Sequence, residues 1–559
     1  DGSENSFVEN RDKLAKYVES HRLAMQCTRL FADAYPRQQS YPESSYPSVN
    51  AELHARIDQG TFLFNYIGHA GHQLGNESYL DINGVREWKN RRCLPLFVAA
   101  SCSLAEYDQP IERSLGENML HLPNGGAIAL ISASRVSFSS GNYSFNSNLI
   151  AQLFPPTTDP APTSLGTVYY KAKALTAGLE NKRKYVMLGN PALPIPDMAA
   201  TVRILSLNGK APIGITDTIR AGDHVSLEVE MKDRKGELFD GDIYLQLAGP
   251  MRKTRTLGNN GNPPYEYEIR TGTAFRGHLT ATGGKAQAEW IVPLDMETSY
   301  GQGMLQFTGV NGQEVCLSAY QDFTFGGRSK RANTDHTPPK IQLTLEDYAP
   351  RERWVVNDNP LLIARLADSS GINSSGATAA HALTATLKGP EKVEEVRLDD
   401  YYVASTNTYR KGEIRYRFSH LAPGSYTLTL KAWDTYNNGA EASIAFEVVE
   451  EEAPRVSHLL NYPNPFTNGT DIYFDGTHAG QPTEVSIQIF TLDGELVRTI
   501  RQYESSPGYR YGPYHWDGRD EWGRELGRGV YFYRVRVGHR AAFFHKASSA
   551  EGYERMLKL

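Results

Sequence analysis

The run Phe62-Leu63-Phe64-Asn65-Tyr66-Ile67 closes in Gly68-His69-Ala70-Gly71-His72, and the run Leu94-Pro95-Leu96-Phe97-Val98-Ala99-Ala100 closes in Ser101-Cys102-Ser103. Two near-continuous apolar runs of strand length, each ending in small residues, have the pattern of parallel strands covered on both faces. A helical candidate, Ile111 to Leu122, and a third run, Gly126-Ala127-Ile128-Ala129-Leu130-Ile131, follow them. Upstream, Asn10 to Leu30 places Leu14, Val18, Leu23, Met25 and Leu30 among charges, an imperfect amphipathic helix. This order predicts an α/β sheet built of βαβ units.

The carboxyl ends of neighbouring parallel strands share one edge, where sites are built. His69 and Cys102 are therefore expected to face each other. A thiolate is the reactive form of cysteine, and an adjacent imidazole can take its proton and later give one to a leaving amine. Small residues around His69 let backbone N–H groups approach a substrate carbonyl, so the oxyanion is expected near the N–H groups of Ala70 and Cys102. Taken singly, such a histidine is usually a loop residue and such a cysteine packing; the pairing of strand ends carries the reading. A zinc site through His69 and His72 is disfavoured, because Gly68 and Gly71 oppose a regular helix and no carboxylate sits at metalloprotease spacing. No metal is expected at the site. Cys93 precedes its strand and belongs at the opposite edge, while Cys27 and Cys316 have no recognisable context.

From Thr201 onward the texture becomes short alternating segments broken by Gly, Pro, Asn and Asp, among them Val225–Val229, Ile243–Leu247, Tyr426–Lys431, Val485–Ile489 and Gly529–Val537. These predict a series of β-sandwiches. Gly326 to Arg331 leading to Thr337-Pro338-Pro339, and Glu450 to Pro454, read as linkers. The expected domains are 1–198, 199–333, 334–452 and 453–559. A chain of 559 residues is long enough for about three to five domains. With 58 Lys+Arg against 64 Asp+Glu, the balance argues against a phosphate-driven nucleic-acid binder. Four cysteines are too few for a disulfide framework or paired Cys-x-x-Cys zinc sites. No apolar stretch has the length of a membrane helix. A chain beginning at Asp1 reads as mature or trimmed, with upstream sequence missing.

Gly-His-x-Gly after one apolar run and Ala-x-Cys after the next resemble the caspase, legumain and gingipain clan of cysteine peptidases. Asn65 to His69 is similar to the gingipain family's strand ending in Gly-His-Gly, and Gly125 to Arg135 and Leu188 to Leu193 resemble its closing portion. The resemblance implies His69 as catalytic histidine and Cys102 as nucleophile. Ala70 departs from the family's glycine. The orienting acid it implies upstream has only loose candidates, Asp33 and Asp12. At the other end, Asn461-Tyr462-Pro463-Asn464-Pro465-Phe466, Val485 to Gly494 and Trp516 to Tyr533 resemble the C-terminal sorting domain of type IX secretion cargo. Asp335 to Pro339, Ala367 to Asn373 and Ala432 to Asn438 resemble the β-sandwich that precedes it, and Thr201 to Gly327 is matched least specifically.

Together these resemble the type IX secretion sortases: a gingipain-like α/β catalytic domain followed by all-β Ig-like sandwiches. Such proteins are longer at the N-terminus, so the chain reads as a C-terminal half. The resemblance implies a peripheral enzyme at the bacterial cell surface, associated with the outer membrane. It would cleave the C-terminal signal domain from cargo through an acyl-enzyme and pass the cargo to an amine of anionic lipopolysaccharide. The implied partners are those signal domains, an outer-membrane β-barrel shuttle or anchor protein with other attachment-complex proteins, and the lipopolysaccharide, with no nucleic acid. The chemistry requires no cofactor, and structural calcium cannot be derived from the sequence. Two other readings stay open: an inactive peptidase-like scaffold of a surface complex, and a freely secreted gingipain-like protease.

Overall fold

The structure is a computed structural model describing the chain apart from residues 1–4, 40–43, 72, 76–78, 89, 110–112, 123–124, 157–162, 197–199, 212–217, 260, 271, 297, 313–314, 332–334, 349–353, 391–392, 419–420, 450–455, 477–482, 505–509 and 540–548. It divides into two compact units, Asp1–Ala332 with Ser405–Tyr409, and Asn333–Ala404 with Arg410–Leu559.

The first unit opens with a four-stranded sheet whose strands lie in the order β1 (Leu63–Ile67), β2 (Leu96–Ala100), β3 (Ala129–Ala133), β4 (Tyr185–Leu188). β1 to β3 are parallel, and β4 runs antiparallel to β3. Every residue of β2 and β3 is buried, which is why their sequences show no polar alternation. The helices are α1 (Ser6–His21), α2 (Pro47–Gln59), α3 (Ile82–Glu87), α4 (Leu115–Leu120), α5 (Ser139–Leu153), α6 (Leu165–Leu175) and α7 (Glu180–Lys184). α1, α5 and α6 pack on the face of Val98, Ala100 and Ile131. α2, α3 and α4 pack on the opposite face, against Tyr66, Phe97 and Leu130.

Three expectations change in detail. The helix expected to reach Leu30 ends at His21. Its chain turns back because the buried Arg29 donates to Asp12 Oδ1 and to both carboxylate oxygens of Glu19, each at 2.7 Å, which an uninterrupted helix could not reach. The helix expected over Ile111 to Leu122 occupies Leu115–Leu120, started by a capping box of Ser114 and Glu117. Gly326 and Gly327 lie in a strand, Thr324–Arg328, paired with Thr218–Ala221 rather than in a linker. Gly326 has φ 139°, and a Cβ there would sit 2.6 Å from Ser299 O, so the glycine serves close backbone approach rather than flexibility.

Between Thr201 and Arg328 a four-stranded and a three-stranded antiparallel sheet enclose a core centred on Trp290, which stacks on Phe275 at 4.7 Å. A hairpin, Met251–Arg255 with Glu266–Arg270, stands apart from these sheets. In the second unit, sheets of four and five strands between Lys340 and Val448 share one core. Sheets of three and four strands between Val456 and Lys558 share another, with Phe474, Trp516 and Tyr533 at its centre. Val485, Ile487 and Ile489 are buried together, and the Asp493-Gly494 turn joins Thr483–Phe490 to Leu496–Glu504 with Gly494 at φ 85°. Pro463 follows an edge strand, Val456–Tyr462. The expected linker Glu450 to Pro454 lies outside the described residues. The fold is thus an α/β region followed by Ig-like β-sheets. Among the described residues no helix is long and apolar enough to cross a membrane.

Candidate active site

β1 and β2 pair in register from Leu63 opposite Leu96 to Ile67 opposite Ala100. His69 and Cys102 each lie two residues beyond the end of their strand, at the carboxyl edge of the sheet. His69 is exposed and Cys102 half-buried. The loop after β1 is folded onto the His69 carbonyl, which accepts from Tyr66 OH at 2.7 Å and Gly75 N–H at 2.9 Å. Gly71 N–H donates to Gln73 O at 3.1 Å, completing the bridge between Ala70 and Leu74. These two main-chain bonds flank Ala70, so the bridge does not use the Ala70 N–H. The imidazole of His69 meets the edge of Phe7, on α1, with ring centroids 5.5 Å apart. His72 lies outside the described residues.

Cys102 is held by the loop after β3. Its thiol lies 3.3 Å from Ser137 O, the Ser137 N–H donates to Sγ at 3.3 Å, and Ser137 Oγ is 3.7 Å away. The loop that follows Cys102 is tied to the same region by Ser103 N–H to Arg135 O and Ala105 N–H to Ala133 O. A two-pronged Arg135–Asp108 ion pair at 2.9 and 2.6 Å adds to these, and its hydrogen bonds hold the Asp108 carboxyl below its ordinary range. Ser103 has φ 50°, a left-handed backbone that non-glycine residues seldom adopt and that recurs where the chain is held for function.

The remaining thiols are unsuited to chemistry. Burial pushes Cys27 up to about 12 and raises Cys93, which sits ahead of β2, and Cys316 is fully buried in the Trp290 core. The two acids weighed as orienting groups are engaged elsewhere. Asp12 bonds Arg29, Lys16 and Tyr265 OH. Asp33 accepts the N–H groups of Gly258 and Asn259 at 2.9 and 2.6 Å, at the tip of the Met251–Arg270 hairpin. Phe7 and Ser137 had no signal in the sequence, since each reaches the site from an element remote from the strand end it touches. Among the described residues, the carboxylates close enough to share a cation are Asp335, Asp368 and Asp434, in the second unit. Burial raises both Asp368 and Asp434, with further repulsion on Asp368 from Asp335 and on Asp434 from Asp368.

Residues 1–196 match the model of peptidase family C25. No curated protein matches the chain. Among solved structures, the chain is similar to dimeric latent PorU from Porphyromonas gingivalis, with 22% identity, a TM-score of 0.31, and 78% of this chain and 41% of that one covered. It is also similar to the Arg-specific cysteine proteinase gingipain R, with 14% identity, a TM-score of 0.26, and 50% and 56% covered. A complex of the pro- and mature domains of Porphyromonas gingivalis RgpB gives 15% identity, a TM-score of 0.25, and 49% and 57% covered. The chain spans about two fifths of the PorU chain and little more than half of the other two.

Proposed function

We propose that the α/β region is a cysteine endopeptidase acting through Cys102 and His69. The observation that supports this is the register of β1 and β2, paired strands that end two residues before His69 and two residues before Cys102 at the carboxyl edge of the sheet. The C25 match over residues 1–196 supports the same reading. His69 takes the Cys102 proton, and the sulfur attacks a peptide carbonyl to form a C–S bond. The oxyanion rests on the N–H groups of Ala70 and Cys102. As the tetrahedral adduct collapses, the C–N bond breaks and His69 returns the proton to the leaving amine. The resulting thioester is resolved by water, giving a peptidase, or by an amine, giving a transpeptidase.

The fuller form of the proposal is a sortase at the bacterial cell surface. Its substrates are cargo proteins with a C-terminal signal domain, its acceptor is an amine of anionic lipopolysaccharide, and its own C-terminal β-sandwich rests on an outer-membrane β-barrel partner. Mass spectrometry of a cargo's new C-terminus separates the outcomes: a free carboxyl identifies water, an added glycolipid fragment identifies the amine. In Cys102→Ala the cleavage rate falls by a factor of at least about 10³. Undiminished cleavage would remove the proposal, and an intact cargo with a cysteine probe failing to label Cys102 would favour the scaffold reading.

A further inference from the structure

Ser137 and the residues that hold it are used by none of these steps. The main chain of Phe138 is bracketed by one side chain: Asn181 Oδ1 accepts its N–H at 3.1 Å, and Asn181 Nδ2 donates to its carbonyl at 2.7 Å. Asn181 Nδ2 also donates to Asn142 Oδ1 at 3.0 Å, which accepts from Tyr185 OH at 2.9 Å. Asn142, Asn181 and Tyr185 are 3%, 7% and 0% exposed. Polar groups are buried at a cost unless bonded, and these bonds converge on the turn whose preceding residue touches Cys102 Sγ.

We propose that Ser137 is a positioning residue for Cys102, its N–H and hydroxyl stabilising the sulfur as an anion, with Asn181, Asn142 and Tyr185 fixing the turn that presents them. This rests on Cys102 being the nucleophile. The Ser137 carbonyl accepts from the thiol only while the proton is there. Once His69 holds that proton, the two donors remain, and a donor to an anion is roughly twice as strong as one to a neutral acceptor. Among the described residues, the other titratable groups on elements around the sulfur include His69 after β1, Tyr185 on β4, Glu106, Tyr107 and Asp108 on the loop of Cys102 itself, Arg135 after β3, and Glu180, Lys182, Arg183 and Lys184 in α7. Of these, Arg135 and Asp108 neutralise each other, and Lys184 lies over the Phe138 ring and 3.2 Å from Glu180.

The test is the rate of Cys102 alkylation by iodoacetamide in the full chain, mapped by mass spectrometry from about pH 5 to about pH 10. In Ser137→Ala and Asn181→Ala the pH of half-maximal rate rises by about one unit, so alkylation at the acid end slows about tenfold while the alkaline plateau holds. Ser137→Thr, which keeps the hydroxyl, restores the profile. Gly141→Ala covers the case in which Asn181→Ala fails to fold: its Cβ would lie 2.4 Å from Asn181 Nδ2, displacing the amide without deleting it, and the same rise is expected. Superimposable profiles, or a lowered plateau with an unmoved midpoint, would overturn the proposal. Peptide cleavage is scored in parallel. A moved profile in a protein that cleaves nothing refutes the peptidase reading alone, whereas Cys102-dependent cleavage with an unmoved profile refutes the role of Ser137 alone.

Discussion

Four free thiols sit in four environments, and the difference among them is the strongest residue-level statement the protein makes. Cys316 is inside an apolar core, Cys27 is partly buried against another, Cys93 is raised by burial ahead of its strand, and Cys102 alone follows the carboxyl end of a strand of the α/β sheet. A thiol that burial holds protonated is a poor nucleophile at neutral pH. Brief treatment of the folded chain with iodoacetamide at neutral pH should therefore modify Cys102 first, as read by peptide mapping; equal labelling of Cys93 would contradict the contrast. Gly126 makes a second case. It has φ 102°, and a Cβ would fall 1.9 Å from Met119 O, while Asn90 bonds both its N–H and its carbonyl at 2.8 and 2.9 Å. Gly126→Ala is expected to cost at least about 3 kcal/mol in a denaturant titration.

Elements were legible in the sequence to the degree that burial alone decided them. β2 and β3 are covered on both faces, so their apolar runs announced them. The end of α1 was not legible, because it depends on Arg29 returning to meet Asp12 and Glu19, and no periodicity encodes such a pairing. Gly326-Gly327 misled for a related reason: a glycine demanded by close approach in a strand looks the same as one in a linker. Ser137 is 35 residues from Cys102 along the chain, so only the folded sheet brings it to the sulfur. The α1 pairing can be tested. Arg29 and Asp12 side chains are 3% and 1% exposed, and removing one partner leaves a buried charge. Arg29→Met should cost about 3 to 5 kcal/mol, and Asp12→Asn in the same chain should restore part of it.

In the second unit, the pair Asp368 and Asp434 runs against neutral-pH stability, because burial raises both carboxyls in the folded state. An acid with a raised folded value binds protons more readily when folded. The stability it withholds at neutral pH returns as pH falls, and is fully recovered below the ordinary aspartate value near about 4. Asp368→Asn should accordingly raise the unfolding temperature of the full chain near neutrality, in chelator so that no cation neutralises the carboxylate, and lose that advantage in acid. A pH-independent difference would contradict the linkage.

At the scale of the whole molecule, the β-sandwiches that follow the α/β region frame a chemistry assigned to one sulfur. The account stands most directly on the mass of the full-length protein, acid-quenched during turnover of a peptide spanning a cargo's junction with its signal domain. It predicts a covalent adduct equal to the N-terminal product less one water, mapped to Cys102 and absent in Cys102→Ala. Cleavage at full rate with no adduct, or with an adduct on any other residue, would contradict it.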